Sequence, residues 1–292
     1  MYFKRIVLTL LLMLGVTACA SSTTVGTATP SEPTLPPEPP TATPPPSAAF
    51  VNGEYITIEE FQAELARFNA AQSSLGKTVS EEDATRIVLE DLIALVLLSQ
   101  AARESNFNLT EADLQSRIEA LAAEIGGMGM LSEWKSAHGY NDASFRVALR
   151  RSIEAAWMRD KIIADVPAVM EQIHVRQILT YNETDARAAL DQLNSGADFD
   201  ALAARYDPVT RGELGWLPRG YLLDANADEA VFALQTGGVS GIVPTDAGFH
   251  IFKAVERGPH PLSPDALLTM QELALKKWLE NRRANSTITL AP

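Results

Sequence analysis

The chain has 292 residues, of which 46% are hydrophobic and 21% are charged, and its formal net charge is −13. This length is enough for two domains, and this composition is typical of a globular protein. The negative charge argues against nucleic acid as a partner and against a basic membrane-binding surface.

The content of cysteine and histidine limits the chemistry further. A single cysteine excludes an internal disulfide framework. The four histidines lie at scattered positions without metal-ligand spacing, at His138, His174, His250 and His260. The sequence contains no glycine-rich nucleotide-binding motif and no nucleophile-elbow motif. We therefore predict neither a metal nor a cofactor.

The N-terminus is typical of a secretory signal peptide. Lys4 and Arg5 precede an apolar stretch over residues 6–16, and small residues follow up to Cys19. The stretch is shorter than the roughly 20 residues that a membrane-spanning helix needs. A cysteine directly after small residues resembles the bacterial lipobox, in which that cysteine is acylated. Residues 1–18 are thus a predicted signal peptide and Cys19 a predicted lipidation site. The alternative is an ordinary signal peptide with an incidental cysteine.

Residues 19–48 are predicted to form a linker after the lipidated cysteine. They consist mainly of Pro, Thr, Ser and Ala, and the proline runs favour extended polyproline II. Such a segment cannot build a core and can act as a stiff spacer of about 3.1 Å per residue. The alternative is a segment without a spacing role.

Residues 57–165 are predicted to be mostly helical, after a hairpin centred on Asn52-Gly53. The helices begin at residues suited to N-cap positions, which are Thr57, Ser80, Thr110 and Asn141. The second helix is apolar all round over residues 92–98, which predicts a buried helix. The third ends at Gly126-Gly127, and the fourth follows Asn141.

The pattern changes near Pro167. Strands are predicted at residues 173–179, 240–243 and 249–255, and helices at about 185–194, 199–206 and 229–234. A loop rich in turn residues is predicted from Asp207 over Gly215 to Gly220. Strands and helices in this order predict an α+β arrangement.

The chain returns to helix at Ser263-Pro264, an N-cap followed by proline at the first helical position. A short strand is predicted at residues 287–290. The apolar faces of this helix and strand must be buried, and the N-terminal helical region is the simplest packing partner for them. The α+β segment is then an insertion into a helical body.

Five short pieces of the inserted segment together resemble a parvulin-type peptidyl-prolyl isomerase domain. They are residues 176–179, 196–203, 212–216, 230–234 and 243–251. The flanking regions are similar to extracytoplasmic foldases of the PrsA and SurA type. The resemblance implies a helical N-terminal domain (49–168), an isomerase domain with an antiparallel sheet plus helices (169–258), and a C-terminal helix and strand that pack on the N-terminal domain (259–292).

The resemblance also implies a set of site residues. His250 matches the second core histidine of the family, and Thr245 matches the threonine hydrogen-bonded beneath the histidine pair. Asp207 falls on the position of a Cys or Asp beside the substrate peptide bond. The implied substrate-binding residues are Leu214, Leu222, Leu223, Ala227 and Phe249.

Two positions depart from the family pattern. Gln177 replaces the first core histidine, and glutamine can donate and accept hydrogen bonds but carries no titratable proton. Ala227 stands where the proline pocket usually has phenylalanine, so we expect a shallower pocket. The loop after Asp207 is also shorter, and together these changes predict weak activity. His250 has the alternative reading of a core histidine without function, and His174 is predicted to lie outside the site.

These features predict a membrane-anchored peptidyl-prolyl isomerase that assists the folding of exported proteins. Its partners would be unfolded or proline-containing exported polypeptides and, through the lipid anchor, a membrane. The alternative is a non-catalytic holdase chaperone with a degenerate isomerase domain. A tethered solute-binding lipoprotein is a third reading, but such proteins usually need two α/β lobes and one α+β segment is visible.

Overall fold

The computed structural model of the protein describes residues 45–291. The predicted signal peptide, Cys19 and residues 20–44 of the predicted linker lie outside the described residues. Among residues 45–291, no helix combines the length and apolarity that a membrane span requires.

The described chain contains two antiparallel sheets. The first has the order β2-β1-β7 and the second the order β4-β3-β6-β5. The strands are β1 (Ser47–Val51), β2 (Glu54–Thr57), β3 (Val169–Thr180), β4 (Glu213–Pro218), β5 (Val243–Thr245), β6 (Gly248–Pro261) and β7 (Ile288–Leu290).

Most of the remaining described residues are helical. The helices are α1 (Ile58–Ser74), α2 (Glu81–Glu104), α3 (Glu111–Glu124), α4 (Met128–Ala137), α5 (Asp142–Ala164), α6 (Glu183–Asn194), α7 (Phe199–Tyr206), α8 (Ala225–Ala233) and α9 (Pro264–Ala284).

The first sheet joins the two ends of the described chain. Asn52 and Gly53 have φ of +48° and +98°, the left-handed values that a tight hairpin turn requires, and they connect β1 to β2. Strand β7 pairs with the other edge of β1. Helix α9 packs against α2 and α5, so the C-terminal elements are covered by the N-terminal helices.

The predicted N-caps are confirmed. The side chains of Thr57, Ser80, Thr110 and Asn141 each accept a hydrogen bond from the backbone N–H three residues later. The predicted buried helix is also confirmed, because α2 places Ile93, Val96 and Leu97 among its buried residues. Helices α1 and α2 pack against the face of β1 that carries Ala49 and Val51.

Some sequence predictions differ from the structure. The strand predicted at residues 240–243 is wrong for residues 240–242, because β5 spans Val243–Thr245. Residues 128–137 form α4, which the sequence analysis did not predict because Gly127 at its N-cap offers no side-chain hydrogen bond. The predicted loop from Asp207 to Gly220 is wrong for Glu213–Pro218, which form strand β4. Helix α8 begins at Ala225, four residues before the predicted start, because Asp224 caps it.

The second sheet carries a core on each face. On one face, Ile178 of β3 packs with residues of α6 and α7. On the other, Ile173 and Val175 pack with Ala227 and Val231 of α8. Even-numbered residues of β3 such as Ile178 therefore face α6 and α7, and odd-numbered residues such as Ile173 face α8. The α+β class with a sheet inserted into a helical body is confirmed, while the residue boundaries of the domains stay predictions.

Candidate active site

A chain of three polar side chains crosses the sheet near one end. Strand β3 supplies Gln177, β6 supplies His250 and β5 supplies Thr245. His250 Nδ1 lies 2.8 Å from Gln177 Oε1, and His250 Nε2 lies 2.9 Å from Thr245 Oγ1. The structure thus brings together three of the four predicted catalytic residues.

The partners of His250 select one form of its ring. Gln177 Oε1 can only accept, so Nδ1 carries the proton and donates it. The Thr245 hydroxyl already accepts the Ala247 N–H at 3.1 Å, so its own proton is available for Nε2. It also lies 3.4 Å from the Gly248 carbonyl, which is a longer and weaker contact. The arrangement therefore holds a neutral imidazole with its proton on Nδ1.

Burial favours the same neutral form. His250 is 9% exposed, and burial lowers the pKa of its imidazole below the ordinary value, while the nearby Asp224 carboxylate acts in the opposite direction. The Phe252 ring stacks on the imidazole with centroids 5.3 Å apart. At neutral pH the centre of the site is accordingly an uncharged hydrogen-bonded chain.

The backbone of Gln177 is held by a close glycine. The Gln177 N–H donates to the Gly212 carbonyl at 2.7 Å. Gly212 has φ of +72°, and a Cβ atom at this position would lie 2.0 Å from the Gln177 carbonyl oxygen. Only glycine allows the loop before β4 to approach β3 so closely.

Asp207, the fourth predicted catalytic residue, organises a turn. Its carboxylate accepts the N–H groups of Val209 and Thr210 at 3.0 Å, and the Thr210 hydroxyl donates to it as well. The Thr210 hydroxyl and these N–H groups lower the pKa of Asp207. Within residues 45–291, no hydrogen bond joins Asp207 to His250. The observed contacts place Asp207 at the end of α7, in the loop that leads to Gly212.

The predicted substrate-binding residues separate into two groups. Leu214 and Leu222 are half-buried and pack against the cluster that contains the buried Ala227. Phe249 is half-buried on β6, paired with Thr180 and Pro244. The side chain of Leu223 is fully exposed. The structure therefore brings Leu214, Leu222 and Ala227 together and leaves Leu223 and Phe249 outside this cluster.

Two residues near His250 were missed by the sequence analysis. Phe252 follows His250 by two positions on a strand, a spacing that puts both side chains on one face and that could have indicated the contact. Asp224 caps α8, and an Asp three residues before Ala227 is the sequence pattern of an N-cap. His174 lies on the opposite face of β3, with Nε2 2.5 Å from Glu213 Oε1.

No group of three or more His, Cys, Asp or Glu side chains converges as metal ligands would in the described part of the chain. The three polar groups of the site are uncharged and hydrogen-bonded to one another. Such a site can bind and desolvate a neutral ligand.

Two family models match the chain. Residues 179–256 match the PPIC-type PPIase domain, and residues 41–132 match the SurA-like N-terminal domain. The chain therefore carries a parvulin-type (PPIC-type) peptidyl-prolyl isomerase domain and a SurA-like N-terminal domain. Gln177 lies two residues before the matched isomerase range.

Individual relatives combine the same parts. The foldase protein PrsA of Clostridium kluyveri is 22% identical, and the match covers 83% of this chain and 84% of that protein. The chaperone SurA of Aromatoleum aromaticum is 27% identical, with 72% of this chain and 56% of that protein covered. The crystal structure of the peptidylprolyl isomerase PrsA from Bacillus cereus is 20% identical at a TM-score of 0.42, with 78% of this chain and 81% of that chain covered.

Proposed function

We propose that this protein is an extracytoplasmic foldase that isomerises X-Pro bonds of exported polypeptides at the Gln177–His250–Thr245 site while lipid on Cys19 holds it at a membrane. The observation that carries the catalytic part is the hydrogen-bonded chain that fixes His250 as a neutral ring. Leu214, Leu222 and Ala227 supply the apolar surface for the proline ring, and relatives named foldase and chaperone support the class of substrate.

The chemistry of prolyl isomerisation suits a neutral site. The planar X-Pro bond is held by resonance, which separates charge between the carbonyl oxygen and the nitrogen, and the rotation barrier is about 18–20 kcal/mol. Water stabilises that separated charge, so moving the bond into an apolar site weakens the resonance and favours the twisted transition state. A charged imidazole would keep water in the site, whereas the neutral chain lets the bond be desolvated.

A protease-coupled isomerisation assay with a proline peptide tests the catalytic proposal. We expect the wild type to accelerate cis-trans exchange and His250→Ala to reduce the catalysed rate by at least about tenfold, equivalent to the loss of roughly 1.4 kcal/mol of transition-state stabilisation. His174→Ala is the matched control, because this histidine lies on the opposite face of β3. A wild-type rate equal to the uncatalysed rate at micromolar protein would refute the catalytic proposal.

The second candidate is a holdase chaperone without catalysis. Two specific observations favour it, namely Gln177 in place of a histidine and the small Ala227 in the pocket. This candidate predicts that residues 49–165 joined to 258–292 suppress the aggregation of an unfolded client, while proline-limited refolding keeps its uncatalysed rate. Failure of this helical part to bind unfolded polypeptide would exclude it.

The anchor requires its own test, because Cys19 lies outside the described residues. In cells fed a labelled fatty acid, we expect label on the wild-type protein and none on Cys19→Ser. An unlabelled wild type found in the soluble fraction would refute the anchor and leave the isomerase proposal intact.

A further inference from the structure

The acidic start of helix α8 lies beside the candidate active site. Leu222 and Ala227 belong to the apolar cluster that the proposed function assigns to the proline ring, and Asp224, which caps α8, lies between them in the chain. The Asp224 carboxylate also acts on His250, where it opposes the effect of burial on the pKa of the imidazole. The negative charge of Asp224 therefore acts on the place where an X-Pro bond would be isomerised.

One oxygen of the half-buried Asp224 carboxylate is available to a ligand. Oδ1 accepts the Ala227 N–H at 2.9 Å, whereas Oδ2 has neither a hydrogen bond nor an ion pair with any residue of the described range 45–291. Arg219 and Arg257 contact α8 at its other end, over the Phe232 ring at 4.6 and 5.9 Å. Phe232 lies eight residues from Asp224, about 12 Å along a helix. The helix dipole offsets part of the charge of Asp224, but no cationic side chain pairs with it among these residues.

An exposed apolar side chain adjoins this carboxylate. Leu223 directly precedes Asp224 and its side chain is fully exposed, in contrast to Leu222, which packs in the cluster. A single exposed leucine is ordinary on a protein surface, but Leu223 stands next to an unpaired carboxylate at the edge of the site. The two residues offer an apolar contact and a negative one side by side. Lysine and arginine have the complementary form, because their apolar stems end in a cation.

We propose that Leu223 and Asp224 form a subsite for a lysine or arginine that flanks the proline of the substrate, with the stem on Leu223 and the cation on Asp224 Oδ2. This subsite shares no residue with the proline surface of Leu214, Leu222 and Ala227. The selection of substrates by this subsite rests on the proposed function. The subsite favours a basic residue next to the proline, and it repels a glutamate at the same position.

Peptides that differ at one residue test the proposal on the whole chain. Acetylated, amidated Ala-Ala-Xaa-Pro-Ala-Ala and Ala-Ala-Pro-Xaa-Ala-Ala would carry lysine, norleucine or glutamate as Xaa, and NMR exchange spectroscopy would measure their cis-trans exchange with the wild type. Norleucine has the stem of lysine without the charge. In one of the two series, we expect kcat/KM to be about fivefold higher for lysine than for norleucine and lowest for glutamate. Equal values for lysine and norleucine in both series would overturn the proposal.

An asparagine variant isolates the charge of Asp224, because asparagine caps a helix as well as aspartate does. We expect Asp224→Asn to lose the preference for lysine over norleucine. Asp198→Asn is the matched control, since Asp198 caps α7 by accepting the Ala201 N–H at 2.8 Å, and α7 packs on the face of the sheet opposite His250. The control should keep the preference. A preference that persists in Asp224→Asn would contradict the assignment of the cation to this carboxylate.

Two further measurements use the wild type alone. The ratio of the lysine to the norleucine value should fall toward one as salt rises from about 0.1 M to about 1 M, because the Debye length falls from about 10 Å to about 3 Å. A ratio that does not change with salt would overturn the proposal. Dissociation constants of the same peptides, from NMR titration, test the subsite without turnover. A protein that binds the lysine peptide more tightly without accelerating exchange would refute the proposed function alone, and one that accelerates exchange without this preference would refute the subsite alone.

Discussion

The helical body and the isomerase sheet bury polar groups in opposite ways. In the body, Glu154 of α5 is 1% exposed and accepts hydrogen bonds from Arg103 of α2 at 2.6 Å and from the Ser99 hydroxyl at 2.5 Å. In the sheet, Gln177, His250 and Thr245 form a chain without net charge. The Glu154 cluster therefore uses ionised groups that must stay paired, whereas the His250 chain uses neutral groups that satisfy one another.

The difference has a physical consequence for each region. A buried charge without its partner is strongly unfavourable, so the Glu154 pairs permit one arrangement of α2 against α5. The neutral chain of Gln177, His250 and Thr245 contains no charge that must stay paired, and an apolar surface lies next to it. We infer that the body is built to hold one geometry and that the sheet is built to accept and desolvate a neutral ligand.

The largest expected effect is a loss of stability at Gly212, whose backbone lies against that of Gln177. Gly212→Ala places a Cβ atom 2.0 Å from the Gln177 carbonyl oxygen, so β3 or the loop must move. We expect the free energy of unfolding to fall by about 4 kcal/mol or more, a loss that single substitutions seldom reach. Chemical denaturation measures it. Gly215→Ala is the control, because Gly215 also has positive φ but its Cβ would meet nothing within 4 Å, and about 1–2 kcal/mol is expected.

The next effect concerns the charged network of the body. Glu154→Gln removes the buried carboxylate that Arg103 and Ser99 share, while Arg103 keeps its pair with Glu54, and we expect the free energy of unfolding to fall by about 1.5 kcal/mol. Arg159→Gln on the same helix breaks an exposed pair with Asp160 and should cost about 0.5 kcal/mol or less. Equal effects of the two substitutions, measured by thermal unfolding, would contradict the difference between buried and exposed charge.

A smaller effect is expected on catalysis at Gln177. Gln177→Leu removes the acceptor for His250 Nδ1 at nearly the same volume, and kcat/KM should fall about tenfold. Gln177→His restores the histidine pair typical of the family and should raise kcat/KM. An unchanged rate in both variants would mean that the hydrogen-bonded chain does not position His250 for catalysis.

The smallest effect is a pH dependence of stability. Because burial lowers the pKa of folded His250 below the value of 6.5 for an unperturbed histidine, the unfolded chain takes up the proton first as the pH falls. The stabilisation from the neutral ring is fully present above pH 6.5 and is lost as the pH falls through the folded pKa. Unfolding curves of the wild type and of His250→Gln should therefore converge on acidification. A constant difference between them would exclude this effect.

Local sequence patterns predicted most of the elements correctly. Capping residues such as Ser80 and the turn pair Asn52-Gly53 act within three or four residues, so their effect on the backbone can be read from the sequence. Strand β4 was missed for the opposite reason. Its glycines suggested turns, but the pairing of β4 with β3 keeps Gly215 inside the ladder despite its φ of +78°. A long-range partner outweighed the local preference there.

The candidate site was predicted in part. The resemblance gave Gln177, His250 and Thr245, which the structure joins by hydrogen bonds. It also gave Asp207 and Leu223, which the structure places in a turn and on the surface. Strand register and solvent exposure decide where these side chains lie, and a short sequence motif carries no information about either. Phe252 and Asp224 were missed because their proximity to His250 arises from the strand alternation and from the start of α8.

The sequence by itself determined most of the helix starts, the hairpin, the α+β order and the residue types available to the site. These are properties of short segments, where backbone sterics and side-chain hydrogen bonds act on near neighbours. Only the tertiary structure decided that His250 is buried and neutral and that Gly212 must be glycine. Each of these depends on atoms from strands far apart in the chain, since burial and hydrogen-bond partners exist only after the strands have paired.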